Sequence, residues 1–144
     1  MGRIMAIDYG RKRTGLAVTD PMQLISTGLT TVSTHDLIAF LDDYLARETV
    51  DAFVVGYPLF ADGTPSETAI TYVDPFVRRL RNRFPKQLVT LLDERFTSKI
   101  AFQAMIDGGL KKKARARKET IDTVSAVILL QDFMASDLFA KNTQ

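Results

Sequence analysis

Apolar positions along the chain recur with two periods. Ile4 to Ile7 and Leu16 to Val18 are short, nearly continuous apolar runs, and Gln23 to Val32 is rich in threonine and β-branched residues. Such runs, punctuated by Gly10, Gly15 and Pro21, predict two strands joined as a hairpin and then a third strand, with Gly28 as a weak point or bulge. From Asp36 to Arg47 the period changes. Leu37, Ile38, Leu41, Tyr44 and Leu45 fall at helical spacing, and Ser33 or Thr34 stands where a cap belongs. The single histidine, His35, lies at this helix start and reads as structural or solvated.

Val50 to Tyr57 is again nearly continuous, the pattern of a buried strand parallel to an earlier one. A polar loop follows through Pro58, Asp62, Gly63 and Pro65. Ser66 caps a helix that runs to Phe84 on Val73, Phe76, Val77 and Leu80, and Pro75 inside it predicts a kink or two abutting helices. Arg78, Arg79, Arg81 and Arg83 fill its later turns, where cations suit the helix dipole. Gln87 to Leu92 is the next strand. Thr97 or Ser98 caps a helix through Ile106 that Gly108 and Gly109 end. Lys111 to Lys118 has no apolar period and reads as a loop. Glu119 to about Phe139 is a helix apolar on more than one face, hence well buried. The order predicts an α/β domain spanning residues 1–144. Its sheet is mixed and five-stranded, a three-strand antiparallel meander plus two parallel strands, with helices on both faces.

Composition changes this picture little. The chain has 144 residues, 46% of them hydrophobic and 25% charged, as in an ordinary globular protein. Its net charge of +2 points to no partner, but nine of the nineteen basic residues fall in two clusters, Arg11 to Arg13 and Lys111 to Lys118. Local positive potential of this kind attracts a polyanion. The absence of cysteine excludes disulfides and a thiol nucleophile, fits a reducing cytoplasm, and with one histidine argues against zinc. No apolar leader or membrane-length run is present, so a cytoplasmic protein without a membrane partner is expected.

Three acids stand at the edges of apolar runs. Asp8 ends the first strand, Glu94 or Asp93 ends the fifth, and Asp122 opens the last helix in line with Ala126, Leu129 and Phe133. A carboxylate beside apolar surface is disfavoured as an ion unless a cation or donor stands near it. Three of them suggest a shared cation, and oxygen ligands alone point to Mg²⁺ or Mn²⁺. Phosphodiester hydrolysis uses such a cluster, and the basic loops would hold the phosphate backbone. Neighbouring strand residues face opposite sides, so only one of Asp93 and Glu94 can join, and strand position alone does not choose. Asp8, Gly10 and Gly15 also suit the phosphate loop of a two-lobed kinase, but 144 residues hold only one such lobe.

The segments IMAIDYGRKRTGLAVTD, VVGYP with DG following, LLDERFTS and KETIDTVSAVILL resemble, in order, those of the YqgF family, described as pre-16S rRNA nucleases or Holliday-junction-resolvase-like proteins. The resemblance implies a ribonuclease-H-like fold and a bacterial cytoplasmic protein maturing the 5′ end of small-subunit ribosomal RNA. It implies Asp8, Glu94 and Asp122 as the catalytic, metal-binding acids, choosing Glu94 over Asp93. Thr97 and Ser98 match its hydroxyl pair, and Lys111 to Lys118 its positive loop. The expectation is a Mg²⁺- or Mn²⁺-dependent nuclease for structured RNA. Its nucleic-acid contacts would be Arg11, Lys12, Arg13, Arg95, Lys111, Lys112, Lys113, Arg115, Arg117 and Lys118. The alternatives are a Holliday junction resolvase on branched DNA, or a non-catalytic RNA-binding assembly factor. Monomer and homodimer both remain open, and a resolvase needs two paired sites.

Overall fold

A computed structural model describes residues 2–94, 118–137 and 139. The sheet is centred on β1 (Arg3–Asp8), whose Ile4, Met5, Ala6 and Ile7 are all buried. β2 (Arg13–Thr19) pairs with it antiparallel, and β3 (Ser26–Ser33) pairs antiparallel with β2. β4 (Val50–Tyr57) lies parallel on the other side of β1, and β5 (Leu88–Asp93) lies parallel beyond β4. The order is β3-β2-β1-β4-β5, a meander plus two parallel strands, as the apolar pattern predicts.

A central strand apolar on both sides needs cover on both. Side-chain alternation sends Met5 and Ile7 to one face and Ile4, Ala6 and Asp8 to the other. On the first face lie α1 (Leu37–Arg47), entered through a 3₁₀ turn at Thr34–Asp36, and α2 (Asp74–Arg83). Their Leu37, Leu41, Phe76, Val77 and Leu80 join Met5, Ile7, Leu16, Phe53 and Val55 in one core cluster. On the second face α3 (Lys118–Met134) packs Ala126, Leu129, Leu130 and Phe133 against Ile4, Ala6, Ala17 and Val54. Ala6 and Ala17 are small, which lets α3 lie close to β1 and β2.

The structure refines several boundaries. Pro75 has no N–H to give to the carbonyl four residues back, and its ring crowds that carbonyl. The chain therefore widens into a π turn at Ala69–Val73, and α2 starts with Pro75 in its first turn, where a missing donor costs nothing. The anticipated bulge falls in β3. Leu16 pairs with Thr30 and Ala17 with Gly28, so Leu29 is the extra residue. Ser66 caps as expected, its Oγ accepting the Ala69 N–H at 3.2 Å. Ser33 and Thr34 make no side-chain cap to α1, because the Thr34 hydroxyl is used elsewhere. α3 ends at Met134 rather than near Phe139, where the Ser136 hydroxyl donates to the Phe133 carbonyl at 2.6 Å. The expected helix from Thr97 or Ser98 to Ile106 and the loop from Lys111 lie outside the described residues.

β3 starts at Ser26, not Gln23, because Asp20 holds the preceding residues in a turn. Its carboxylate accepts N–H bonds from Ile25 at 2.7 Å, Leu24 at 2.8 Å and Met22 at 3.1 Å. The Ile25 N–H above all, aided by those of Leu24 and Met22, holds this carboxyl below its ordinary 3.8. A lowered folded pKa stabilises the fold above the unfolded value, and that stabilisation disappears as pH falls through the folded one. The urea midpoint of Asp20→Ala should therefore lie below that of wild type by a constant amount at about pH 5 to 7. The gap should close as the pH drops below the ordinary value of 3.8. A gap that persists unchanged into strong acid would show that the carboxylate charge does not hold the turn.

Candidate active site

Asp8, half-buried at the end of the central strand, has a glycine beside it on each side. In β2 its register partner is Gly15. In β4 the register runs through Ile7 opposite Val55, which carries Gly56 alongside Asp8. Both glycines are places of close approach. A methyl group at Gly15 would run into the backbone carbonyl of Asp122, and one at Gly56 into the carboxylate of Glu94. Thus the segment bearing Asp122 rests on one neighbour of Asp8 and the Glu94 side chain rests on the other. All three acids belong to one end of the sheet on the α3 face. A glycine inside a strand commonly marks such an approach.

Alternation also separates Asp93 from Glu94. Val89 and Leu91 pack against the α1–α2 core, and Leu92 against the α3 core. Asp93 therefore follows Val89 and Leu91 to the face away from Asp8. Glu94, one residue past β5, reaches Gly56. At the same sheet end the Tyr57 phenol is pushed above its ordinary 10.0, first by burial and then by its hydrogen bond to Asp74, which ties the end of β4 to α2.

The turn after Asp8 is held residue by residue. Tyr9 stacks on Phe76 of α2 with ring centroids 4.5 Å apart. The Gly10 carbonyl accepts the Thr34 hydroxyl at 2.6 Å, and the Lys12 carbonyl accepts the Thr34 N–H at 2.9 Å. The Thr34 proton is thereby committed, so at the 2.9 Å contact between Thr14 and Thr34 the buried Thr14 hydroxyl is the donor. The Arg11 guanidinium lies 4.7 Å above the Tyr72 ring, a cation–π contact. Arg13 Nε donates to Asp122 Oδ2 at 3.1 Å. The Lys12 side chain is exposed, with no such tie among the described residues.

As metal ligands the acids fit in kind, being hard oxygen donors on one face at one sheet end. Among the described residues, however, no three Asp, Glu, His or Cys side chains stand close enough together to hold a metal ion. Asp122 is instead engaged by Arg13. Of the expected nucleic-acid contacts, Arg11, Lys12 and Arg13 flank Asp8. Lys118 begins α3. Arg95, Lys111, Lys112, Lys113, Arg115 and Arg117 lie outside the described residues, as do Thr97 and Ser98. Sequence reasoning missed Thr34, read only as a helix cap, and the cradling role of Gly15 and Gly56. The available signal was their placement at corresponding ends of the strands on either side of Asp8.

A family model described as "RuvX: Holliday junction resolvase" matches residues 2–136. A protein of Flavobacterium johnsoniae named "Putative pre-16S rRNA nuclease" is 54% identical over 139 residues, 96% of this chain and 100% of that one. Proteins of the same name are 49% identical in Bacteroides thetaiotaomicron (96% of this chain, 100% of that one) and 52% identical in Porphyromonas gingivalis (93% and 96%).

The two glycines should respond differently to alanine. At Gly56 the obstacle is the end of a side chain, so Gly56→Ala should fold with nearly the wild-type urea midpoint while displacing Glu94 and lowering any cleavage. At Gly15 the obstacle is helix backbone, so Gly15→Ala should lose about 1–3 kcal/mol, the usual cost of overpacking. Equal stability of the two variants in urea melts would refute this geometry.

Proposed function

The chain belongs to the family described as RuvX, Holliday junction resolvase, and from that premise we propose that it is a cation-assisted nuclease acting on structured RNA. The observation that carries this reading is Asp8 on the central strand between two glycines, with Glu94 on one and the Asp122 segment on the other. Relatives across nearly its whole length are named for pre-16S rRNA, so precursor ribosomal RNA in the cytoplasm is the substrate and setting we propose. Among the described residues no helix is long and apolar enough to cross a membrane.

Asp8, Glu94 and Asp122 would hold Mg²⁺ or Mn²⁺. When bound, such an ion activates water and stabilises the leaving oxygen of a phosphodiester. The chain's own residues do the rest. Arg13 and Lys12 offer donors to the phosphate oxygens beside Asp8. Arg11, spread over Tyr72, offers a further cationic contact at the same sheet end. Thr34 and Tyr9 fix the turn that carries these cations, so little ordering remains for substrate to bring about. The family description favours branched DNA as a second substrate class.

The test uses precursor ribosomal RNA together with duplex, single-stranded and four-way DNA, each with Mg²⁺ and with Mn²⁺. Wild type should cut the RNA, and Asp8→Asn should lose cleavage while keeping its fold and its RNA binding. Undiminished cleavage by purified Asp8→Asn would overturn the mechanism. Cutting confined to four-way DNA would assign the chain to resolvase chemistry. Binding of RNA without any cleavage by wild type would leave an assembly factor.

A further inference from the structure

We propose that Arg13 controls the third carboxylate. Its guanidinium occupies Asp122 in the cation-free protein, a divalent cation must displace it, and the released guanidinium receives the substrate phosphate. This inference deepens the cation-assisted reading above and rests on it.

Four observations carry it. First, the contact is a direct ion pair, Arg13 Nε to Asp122 Oδ2 at 3.1 Å, joining β2 to α3 across 109 residues of sequence. The pair engages one of the three acids, and among the described residues no three acids gather closely enough to hold a cation as they stand. Second, the pair is weak enough to exchange. Its side chains remain 37% and 27% exposed, and ion pairs so open to solvent contribute little and yield to a competing charge.

Third, the cations of the turn differ in what holds them. Arg11 is committed to Tyr72, just before α2, on the side of the sheet away from α3. Arg13 shares its side of β2 with Gly15 and Ala17, the α3 face on which Asp8 also lies. A phosphate brought to the acids therefore meets Arg13 on its own face. Fourth, the Arg13 backbone does not depend on the pair. It is fixed by pairing with Ser33 in β3, and the adjoining Lys12 carbonyl is fixed by Thr34. The guanidinium can leave Asp122 without unmaking the strand.

The consequence is a linkage. A cation that takes Asp122 frees a phosphate ligand, and a phosphate that takes Arg13 frees a cation ligand. Each therefore raises affinity for the other by the same factor. Arg13 acts on the cation through Asp122, as a positioning residue.

The test reads cation binding directly, without turnover. Mn²⁺ is titrated calorimetrically into wild type, Arg13→Gln and Lys12→Gln with no nucleic acid present. Lys12→Gln removes the same charge from the same turn without touching Asp122. We expect Arg13→Gln to bind Mn²⁺ up to about fivefold tighter than wild type, the range that an exposed pair can withhold. Lys12→Gln should tighten it less. Asp122→Asn should abolish the difference made by Arg13→Gln, and urea midpoints should confirm that every variant is folded.

With cleavage-resistant phosphorothioate RNA present, Mn²⁺ affinity should rise more in wild type than in Arg13→Gln. Unchanged or weaker Mn²⁺ binding in Arg13→Gln would overturn the inference, as would equal tightening in Lys12→Gln. If wild-type cleavage still required Mn²⁺, the proposed function would survive that result. Failure of wild type both to bind Mn²⁺ and to cleave would overturn the proposed function and the inference together.

Discussion

The close approach of chain segments to the two glycines beside Asp8 is the constraint on which the rest of this structure depends. A sheet end normally bristles with side chains that hold other segments away. Here Gly15 and Gly56 remove them on both sides of one carboxylate, and backbone at one and a side chain at the other move in. α3 can then lie low across β1, β2 and β3, which is also how it buries Ala126, Leu129, Leu130 and Phe133. Gly15 thus serves the core, and together the two glycines bring the segments bearing the acids to one end of the sheet.

The turn after Asp8 shows how a charged loop is made rigid. It carries three consecutive cations, a composition that repels itself and favours solvation. What offsets this is a set of contacts to different elements: an aromatic stack on α2, two hydrogen bonds to Thr34, a tyrosine face under Arg11 and a carboxylate under Arg13. Each is worth about a kcal/mol or less by itself in an exposed setting. Because they act on successive residues, none can be satisfied alone, and together they select one conformation for the turn.

Most of the architecture was readable from period and punctuation. The switch from short β-branched runs to helical spacing predicts the strand and helix order, and the burial of α3 follows from its apolar circumference. Local chemistry was read less well. Thr34 looks like a cap because capping is what threonine at that place usually does, yet its proton goes to Gly10. The stretch from Gln23 to Ile25 looks like strand because Leu24 and Ile25 are strand residues by type. A carboxylate collecting three N–H groups overrides that preference. Strand position alone left Asp93 and Glu94 open; the family resemblance chose Glu94, and the alternation of β5, whose phase a sequence does not reveal, sends Asp93 to the other face. The pair of Arg13 with Asp122 spans too much sequence for any periodic pattern to report it.

Two carboxylates at opposite ends of the sheet are held in different ways. Asp20 is surrounded by backbone N–H groups of its own turn, and these cannot leave while the turn exists. Its charge is permanently spoken for, and its role is structural. Asp122 lies beyond the first turn of α3, and Arg13 holds it by a side chain on a flexible stem. A guanidinium can be exchanged for another cation with no loss of secondary structure. Whether a carboxylate is held by backbone or by a side chain is therefore a physical criterion for separating acids that shape a fold from acids that remain open to chemistry. By that criterion Asp122 belongs with the second group, although it is neither the most exposed acid nor without a partner.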